Sequence, residues 1–448
     1  MQVSDALLDH YARLESRWTV ADRASDYGRL VVPLGNSDVA CHRWFHFKEA
    51  FSSDLLLRVL KDEGLDSRSR LRVLDPFSGV GTTVVSAAAL SGQFADGVLA
   101  TGVERNPFLH LAASSKFRAT IAPRGLRARL FAKFNQILPT IESISAPAPP
   151  ALSTFSKEGH FPPGHLDELL RIRTAIEART RPGLVQDLLL LCAAASVEAS
   201  SRLRRDGRAL RYESWREPPR PINIFRSRVA EVLEDIDVHR TSGVTGRVHL
   251  GDARTIQNVD LPEESDLILF SPPYPNNIDY TEVYKLEAWY LGYFRSAQAF
   301  TQQRRVTLRS HPSVKFEDSY TYKSSSVKSE FEHLVNPLLD AIPAKDRYTV
   351  GRQQVVRGWS DDMLAVLSGL RKKVSREGVL VAVVGNSSHG EDDTTLVIAA
   401  DVLLARLGEM TGWKVEEIRM ARRPTRRSSS PYLRESLVVL RPDDAWRT

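Results

Sequence analysis

The segment Leu71-Arg-Val-Leu-Asp75-Pro-Phe-Ser-Gly79-Val-Gly81-Thr82-Thr83 decides the fold. Its opening, LRVLDPF, is a short apolar run ending in an acid and a proline, the pattern of a buried parallel strand at its carboxyl end. Two glycines then allow a sharp turn, Thr82 can cap a helix with the body VVSAAAL, and Gly92 stops it. A second apolar run, VLATGVE, ends at Glu104. Strand, tight loop, helix, strand opens a doubly wound sheet.

Working outward, the alternation resumes with DLILFSPPY at 266–274 and GVLVAVVGN at 378–386, then a helix over 395–410. The closing runs WKVEEIRMA and ESLVVL, joined by the basic, turn-forming RRPTRRSSSPYLR, predict a hairpin with a long loop. The expected class is therefore α/β, with a Rossmann-like, mostly parallel sheet and an antiparallel C-terminal hairpin strand. Between the halves, APAPP at 146–150 reads as a linker. Leu166, Leu169, Leu170 and Ile176 keep helical spacing, a second helix runs from Pro182 through DLLLLCAAASV, and Phe225, Val229, Val232, Leu233 and Ile236 mark a third. This middle part is expected to be a mainly helical insertion. The expected partition is 1–120 (N-terminal segment and first half of the core), 121–245 (insertion), 246–294 (second half), 295–362 (second insertion) and 363–448 (completion of the sheet).

The length of 448 residues suits such a split core. Apolar residues at 42% and charged residues at 26% are globular values, and no apolar run approaches the roughly 18 residues of a membrane span. The first residues carry acids early, unlike a secretory signal, so the expected location is the cytoplasm. Cys41 and Cys192 stand far apart without metal-ligand neighbours, so neither a disulfide nor a metal site is expected. The net charge is only +6, but arginines cluster locally.

Four motifs carry the chemistry. The glycine turn brings backbone close to a ligand at a helix amino end, or is simply a structural turn. Glu104, in Val-Glu-Arg-Asn-Pro, stands where an acid accepts ribose hydroxyls in nucleotide sites, although a strand-end acid is also an ordinary exposed residue. The interval from Asp75 is long, which implies a lengthened loop near Gln93–Gly97. Asp252, in His-Leu-Gly-Asp-Ala-Arg, is either an acceptor for an adenine amino group or a turn aspartate. Ser271-Pro272-Pro273-Tyr274 closes an apolar strand at the end where ligands bind in such sheets. Two prolines make a stiff loop whose carbonyls can only accept, and the tyrosine offers a face for stacking; the plainer alternative is a proline turn.

Together, in this order, DPFSGVGTT, VERNP, GDAR and SPPY resemble the amino-methyltransferases of DNA. The resemblance covers about residues 40–118, 246–294 and 370–440. It implies a methyltransferase sheet, S-adenosylmethionine as cofactor, and methyl transfer to the exocyclic amino group of a flipped base. Serine before the prolines resembles the cytosine-N4 branch. Adenine N6 is the alternative, followed by an RNA base methyltransferase or a non-catalytic nucleic-acid-binding relative. The resemblance implies Ser271, Pro272, Pro273 and Tyr274 as catalytic residues, and Lys48, Asp75, Pro76, Phe77, Gly79, Gly81, Thr82, Glu104, Arg105, Asn106, Asp252 and Ala253 as cofactor contacts. Lys48 and Phe51 belong to HRWFHFKEAFSSDLLLRVL, similar to the family segment that encloses the methionine end. The insertion precedes GDAR, a departure from the family order that leaves open which insertion recognises DNA.

For double-stranded DNA the candidates are Arg202, Arg204, Arg205, Arg208 and Arg211, interspersed with Tyr212 and Trp215. Arginine forks suit phosphate oxygens, whereas a solvated basic face is the alternative. Asn276 and Asn277 beyond SPPY, with Asp279 and Tyr280 beside them as residues that could shape the pocket for the base, and Arg304, Arg305 and Arg309 further on, in one polar cluster with His311, complete the set. A cognate restriction or phage-defence nuclease is a further conceivable partner, and no nuclease motif is present in this chain.

Overall fold

The structure, a computed structural model, describes residues 4–207, 209–238, 241–342, 349–390, 395–423 and 430–446. Eight strands form one sheet: β1 (Val20–Asp22), β2 (Leu71–Asp75), β3 (Val98–Glu104), β4 (Val244–Leu250), β5 (Ser265–Phe270), β6 (Val374–Gly385), β7 (Trp413–Arg422) and β8 (Glu435–Pro442). Their order across the sheet is β1-β7-β8-β6-β5-β2-β3-β4. All neighbours run parallel except at β8, which is antiparallel to both β7 and β6. The expected fold class is thus present, including the closing hairpin.

Alternating side chains divide the core between two faces, as the pleat demands. Leu71, Val73, Leu267, Leu269, Val379 and Val381 pack toward one face. There they meet helices α1 (Thr82–Ala89) and α2 (Pro107–Thr120). Leu74, Ile268, Phe270, Leu380 and Ala382 pack the other way. Trp359, Met363, Val366, Leu367 and Leu370 face them at helical intervals, together with Leu403, Leu404 and Leu407.

Besides a single helical turn at Ser153–Ser156, the described part of the insertion between α2 and β4 contains the longer helices α3 (Leu126–Ser143), α4 (His165–Arg179), α5 (Leu184–Ala199) and α6 (Pro221–Asp235). The last three correspond to the expected ones; α3 is additional. Its pattern is broken by Pro139 and an exposed Phe131, which hide the buried stripe Leu126, Leu130, Ile137 and Ile141. A hairpin of Leu203–Asp206 with Ala209–Tyr212 projects between α5 and α6. Helix α7 (Thr349–Arg371) runs uninterrupted through residue 362, and α8 (Ala400–Glu409) lies within the helix expected over 395–410. None of the described helices is long and apolar enough to cross a membrane.

The order in which the chain fills the sheet reverses between the parallel neighbours β2 and β5. Ligands gather outside the carboxyl ends at such a switch point. The glycine turn leaves β2 there, and the Ser-Pro-Pro-Tyr loop leaves β5.

Candidate active site

A cavity of about 410 Å³ opens over these two loops. Its wall takes in Asp75, Pro76, Phe77, Gly79 and Thr82 from the glycine turn, and Glu104, Arg105 and Asn106 from the end of β3. Asp252 and Ala253 follow β4, and Ser271, Pro272, Pro273 and Tyr274 follow β5. Lys48 and Asn276 line it as well. The glycine turn and the Ser-Pro-Pro-Tyr loop, far apart in the chain, therefore share one concavity.

The turn is held by its own acids. Asp75 Oδ1 accepts the Phe77 amide at 3.0 Å. Glu104 Oε2 accepts the Gly79 amide at 2.9 Å, and its Oε1 accepts the Asn106 amide at 2.6 Å. Burial pushes both carboxyls up to about 7. Gly79 has φ 52° and faces the ring of Phe47. Gly81 does not line the cavity. With φ 87° it is the residue before α1, and a Cβ there would lie 3.1 Å from Ala113 Cα, so its role is close packing of α1 on α2. Thr82 is the first helical residue and makes no side-chain cap, contrary to the expected capping. Asn106 does cap α2, accepting from the amides of Phe108 and Leu109.

Two expected contacts are already engaged within the protein. Lys48 Nζ donates to the Arg205 carbonyl at 3.0 Å, tying the cavity wall to the hairpin. Asp252 Oδ1 accepts the Arg254 amide and Nε, while Oδ2 takes Arg105 at 2.5 Å and Arg254 Nη2 at 2.7 Å. Burial alone would raise Asp252, but Arg254 and Arg105 outweigh it and hold the carboxyl below the usual range. Little acceptor capacity remains there for an adenine amino group. Phe51 is buried, with Phe47 and Glu49 also on the cavity wall.

At the Ser-Pro-Pro-Tyr loop the prolines are fixed from behind. Trp359 Nε1 donates to the Pro273 carbonyl at 2.8 Å and Ser387 Oγ to that of Pro275 at 2.6 Å. Ser271 Oγ donates to the Tyr274 hydroxyl at 3.2 Å, which donates to Glu435 Oε1 at 2.8 Å. Glu435 Oε2 accepts Arg422 Nε at 2.5 Å. A carboxylate only accepts, so the chain has one direction and Ser271 Oγ keeps its lone pairs for a donor in the cavity.

Glu435 was missed by the sequence reading, yet it lines the cavity. The available signal was topological: β8 is antiparallel, so its first residue lies at the edge where the parallel strands end. Asp279 and Tyr280, expected to shape the pocket for the base, line the cavity, and so does His311, expected only as a member of a polar cluster that contacts DNA.

The expected DNA contacts separate by burial. Arg205 is 8% exposed, ion-paired with Glu198 and Glu287, and its guanidinium lies 4.8 Å from the Tyr284 ring centroid. Arg309 is 10% exposed and bonds Asp361 and Asp362. Arg304 donates to Asp279 at 2.6 Å. These three are internal ties and present no free fork to phosphate. Arg202 bonds the Arg216 carbonyl and Glu217, and Asn277 accepts from Arg352. Arg204, Arg211 and Arg305 are exposed. Arg208 lies outside the described residues, as does the 424–429 part of the RRPTRRSSSPYLR turn.

No family model matches the chain. It is 25% identical to the Type II methyltransferase M.BsoBI of Geobacillus stearothermophilus, across 92% of this chain and 86% of the relative. It is also 25% identical to the Type II methyltransferase M.AvaI of Nostoc sp., across 93% of this chain and 89% of the relative. Among solved structures, the rRNA methyltransferase aviRa of Streptomyces viridochromogenes aligns over 93% of this chain and 96% of its own, at 11% identity and a TM-score of 0.33. Over nearly its whole length, then, the chain is similar in sequence to methyltransferases of Type II.

Proposed function

We propose that the chain is an S-adenosylmethionine-dependent DNA methyltransferase that methylates the exocyclic amino group of a flipped base, cytosine N4 foremost. The observation that carries this reading is the single cavity shared by the glycine turn and the Ser271–Tyr274 loop. Its volume is that of a small-molecule site, about 300–1,000 Å³.

The residues present fit the cofactor. Each Glu104 oxygen takes one backbone amide and keeps a second lone pair for a ribose hydroxyl. Phe77 offers a flat face, and Asp75 and Asn106 hold the turn and the helix that frame it. When bound, S-adenosylmethionine would supply a sulfonium methyl group for transfer to an amine lone pair.

The chain's own task is alignment. Ser271 Oγ and the Pro272 carbonyl accept hydrogen bonds from the two amine N–H groups, favouring a pyramidal nitrogen whose lone pair is free of the ring. Trp359 and Ser387 keep the loop from yielding. Tyr274 braces the base by its ring, while its hydroxyl stays with Glu435. Arg204, Arg211 and Arg305 engage phosphates.

Expression in a host free of DNA methylation, followed by mapping of modified bases, tests this reading. N4-methylcytosine at a defined sequence is the expected result. N6-methyladenine would move the base assignment, and unmodified DNA with methylated RNA would overturn the substrate.

A further inference from the structure

The cavity holds a buried polar group that the reading above leaves idle. His311 is 2% exposed and lies on the cavity wall. It follows a segment laid against the catalytic loop, where the Asn276 amide donates to the Ser310 carbonyl at 2.9 Å. The Ser313 amide donates to His311 Nδ1 at 3.3 Å, which places the proton of a neutral ring on Nε2. Burial lowers the pKa of His311 and so favours that neutral form.

Nε2 has no hydrogen-bond partner among the described residues. Asp279 Oδ2 lies 3.6 Å away and already takes Arg304 Nε at 2.6 Å. The ring is steadied edge-on by Phe316, centroids 5.3 Å apart. A buried donor with no acceptor inside hydrogen-bond distance is costly, and here the residue that carries it lines the same cavity as the loop that would grip the amine.

We propose that the His311 Nε2–H reads the ring acceptor beside the amine of the target base. This rests on the methyltransferase reading and adds the means by which the site selects its base. Cytosine and adenine carry an unprotonated ring nitrogen next to the amine, N3 and N1 respectively. Thymine and guanine carry an N–H at the corresponding place, so donor would meet donor. The same contact serves either amino base, and the choice between them lies elsewhere in the cavity.

The test uses duplexes whose mapped target is replaced by the analogue lacking that nitrogen, 3-deazacytosine or 1-deazaadenine. Wild type is compared with His311→Ala and His311→Gln. The wild type is expected to lose about tenfold in kcat/KM on the analogue, and His311→Ala about tenfold on the natural base with no further loss on the analogue. His311→Gln, whose amide can donate, recovers part of the natural-base rate and responds to the analogue even should the alanine variant fail to fold. Cofactor affinity by calorimetry stays unchanged. Losses that multiply, or a glutamine variant indifferent to the analogue, overturn the assignment while natural duplex is still methylated by the wild type. A wild type inert on every duplex overturns the functional reading and this contact together.

Discussion

Ser271 can accept from an amine because Tyr274 passes its own proton toward Glu435. Replacing Glu435 by glutamine leaves the shape and removes the fixed direction, since an amide can also donate. Glu435→Gln is therefore expected to lower kcat about tenfold with unchanged cofactor affinity, measured by single-turnover methyl transfer beside calorimetry. Glu104 makes a second prediction. Burial raises its folded carboxyl to about 7, above its unfolded value. Such a group holds its proton in the folded state and loses it in the unfolded one between those values, so its contribution to stability falls as pH rises through about 7. The melting-temperature difference between wild type and Glu104→Gln should shift against the wild type from pH 5 to pH 8. A pH-independent difference in calorimetric scans would contradict this.

The hairpin Leu203–Tyr212 shows how one element combines anchor and surface. Residues alternate along a strand, so Arg205 points inward to Glu198 and Glu287 while Arg204 and Arg211 point to solvent. Arg205→Ala leaves two carboxylates without their partner and is expected to cost about 3 kcal/mol, read by denaturant unfolding. Arg204→Ala should leave stability unchanged, Arg211→Ala also loses its hydrogen bond to the buried Glu213, and each should reduce the salt dependence of DNA binding by about one unit of slope. This alternation was not legible in the run of arginines, because charge pattern alone does not say which side of a short strand is covered. The tip residue Gly207 lines the cavity, so the element reaches from the exposed basic surface to the site. Trp215 is 74% exposed beyond it. The same limit applies to Arg309, whose partners Asp361 and Asp362 lie some 50 residues away on α7.

At the scale of the molecule, the sheet was readable because its strands are short apolar runs with punctuation at their carboxyl ends, where the cavity lies. The glycine turn, Glu104 and the Ser-Pro-Pro-Tyr loop announced themselves in this way, and all three line one cavity. Glu435 was hidden because it reaches the cavity through strand order, and His311 was legible only as one member of a polar cluster because a segment packed on the loop carries it to the cavity. The N-terminal segment was readable only in part. Cys41, Arg43 and Trp44 all donate to Asp235 at the end of α6, which binds the insertion to the wall of the site. The central claim is that the two loops form one reaction centre. Nucleoside analysis of duplex DNA after incubation with methyl-labelled S-adenosylmethionine tests it most directly, comparing wild type with Ser271→Ala. The account predicts label on an exocyclic nitrogen, and in the variant a rate at least about tenfold lower with undiminished cofactor binding. Label on a ring carbon, or an equal rate in the variant, would contradict it.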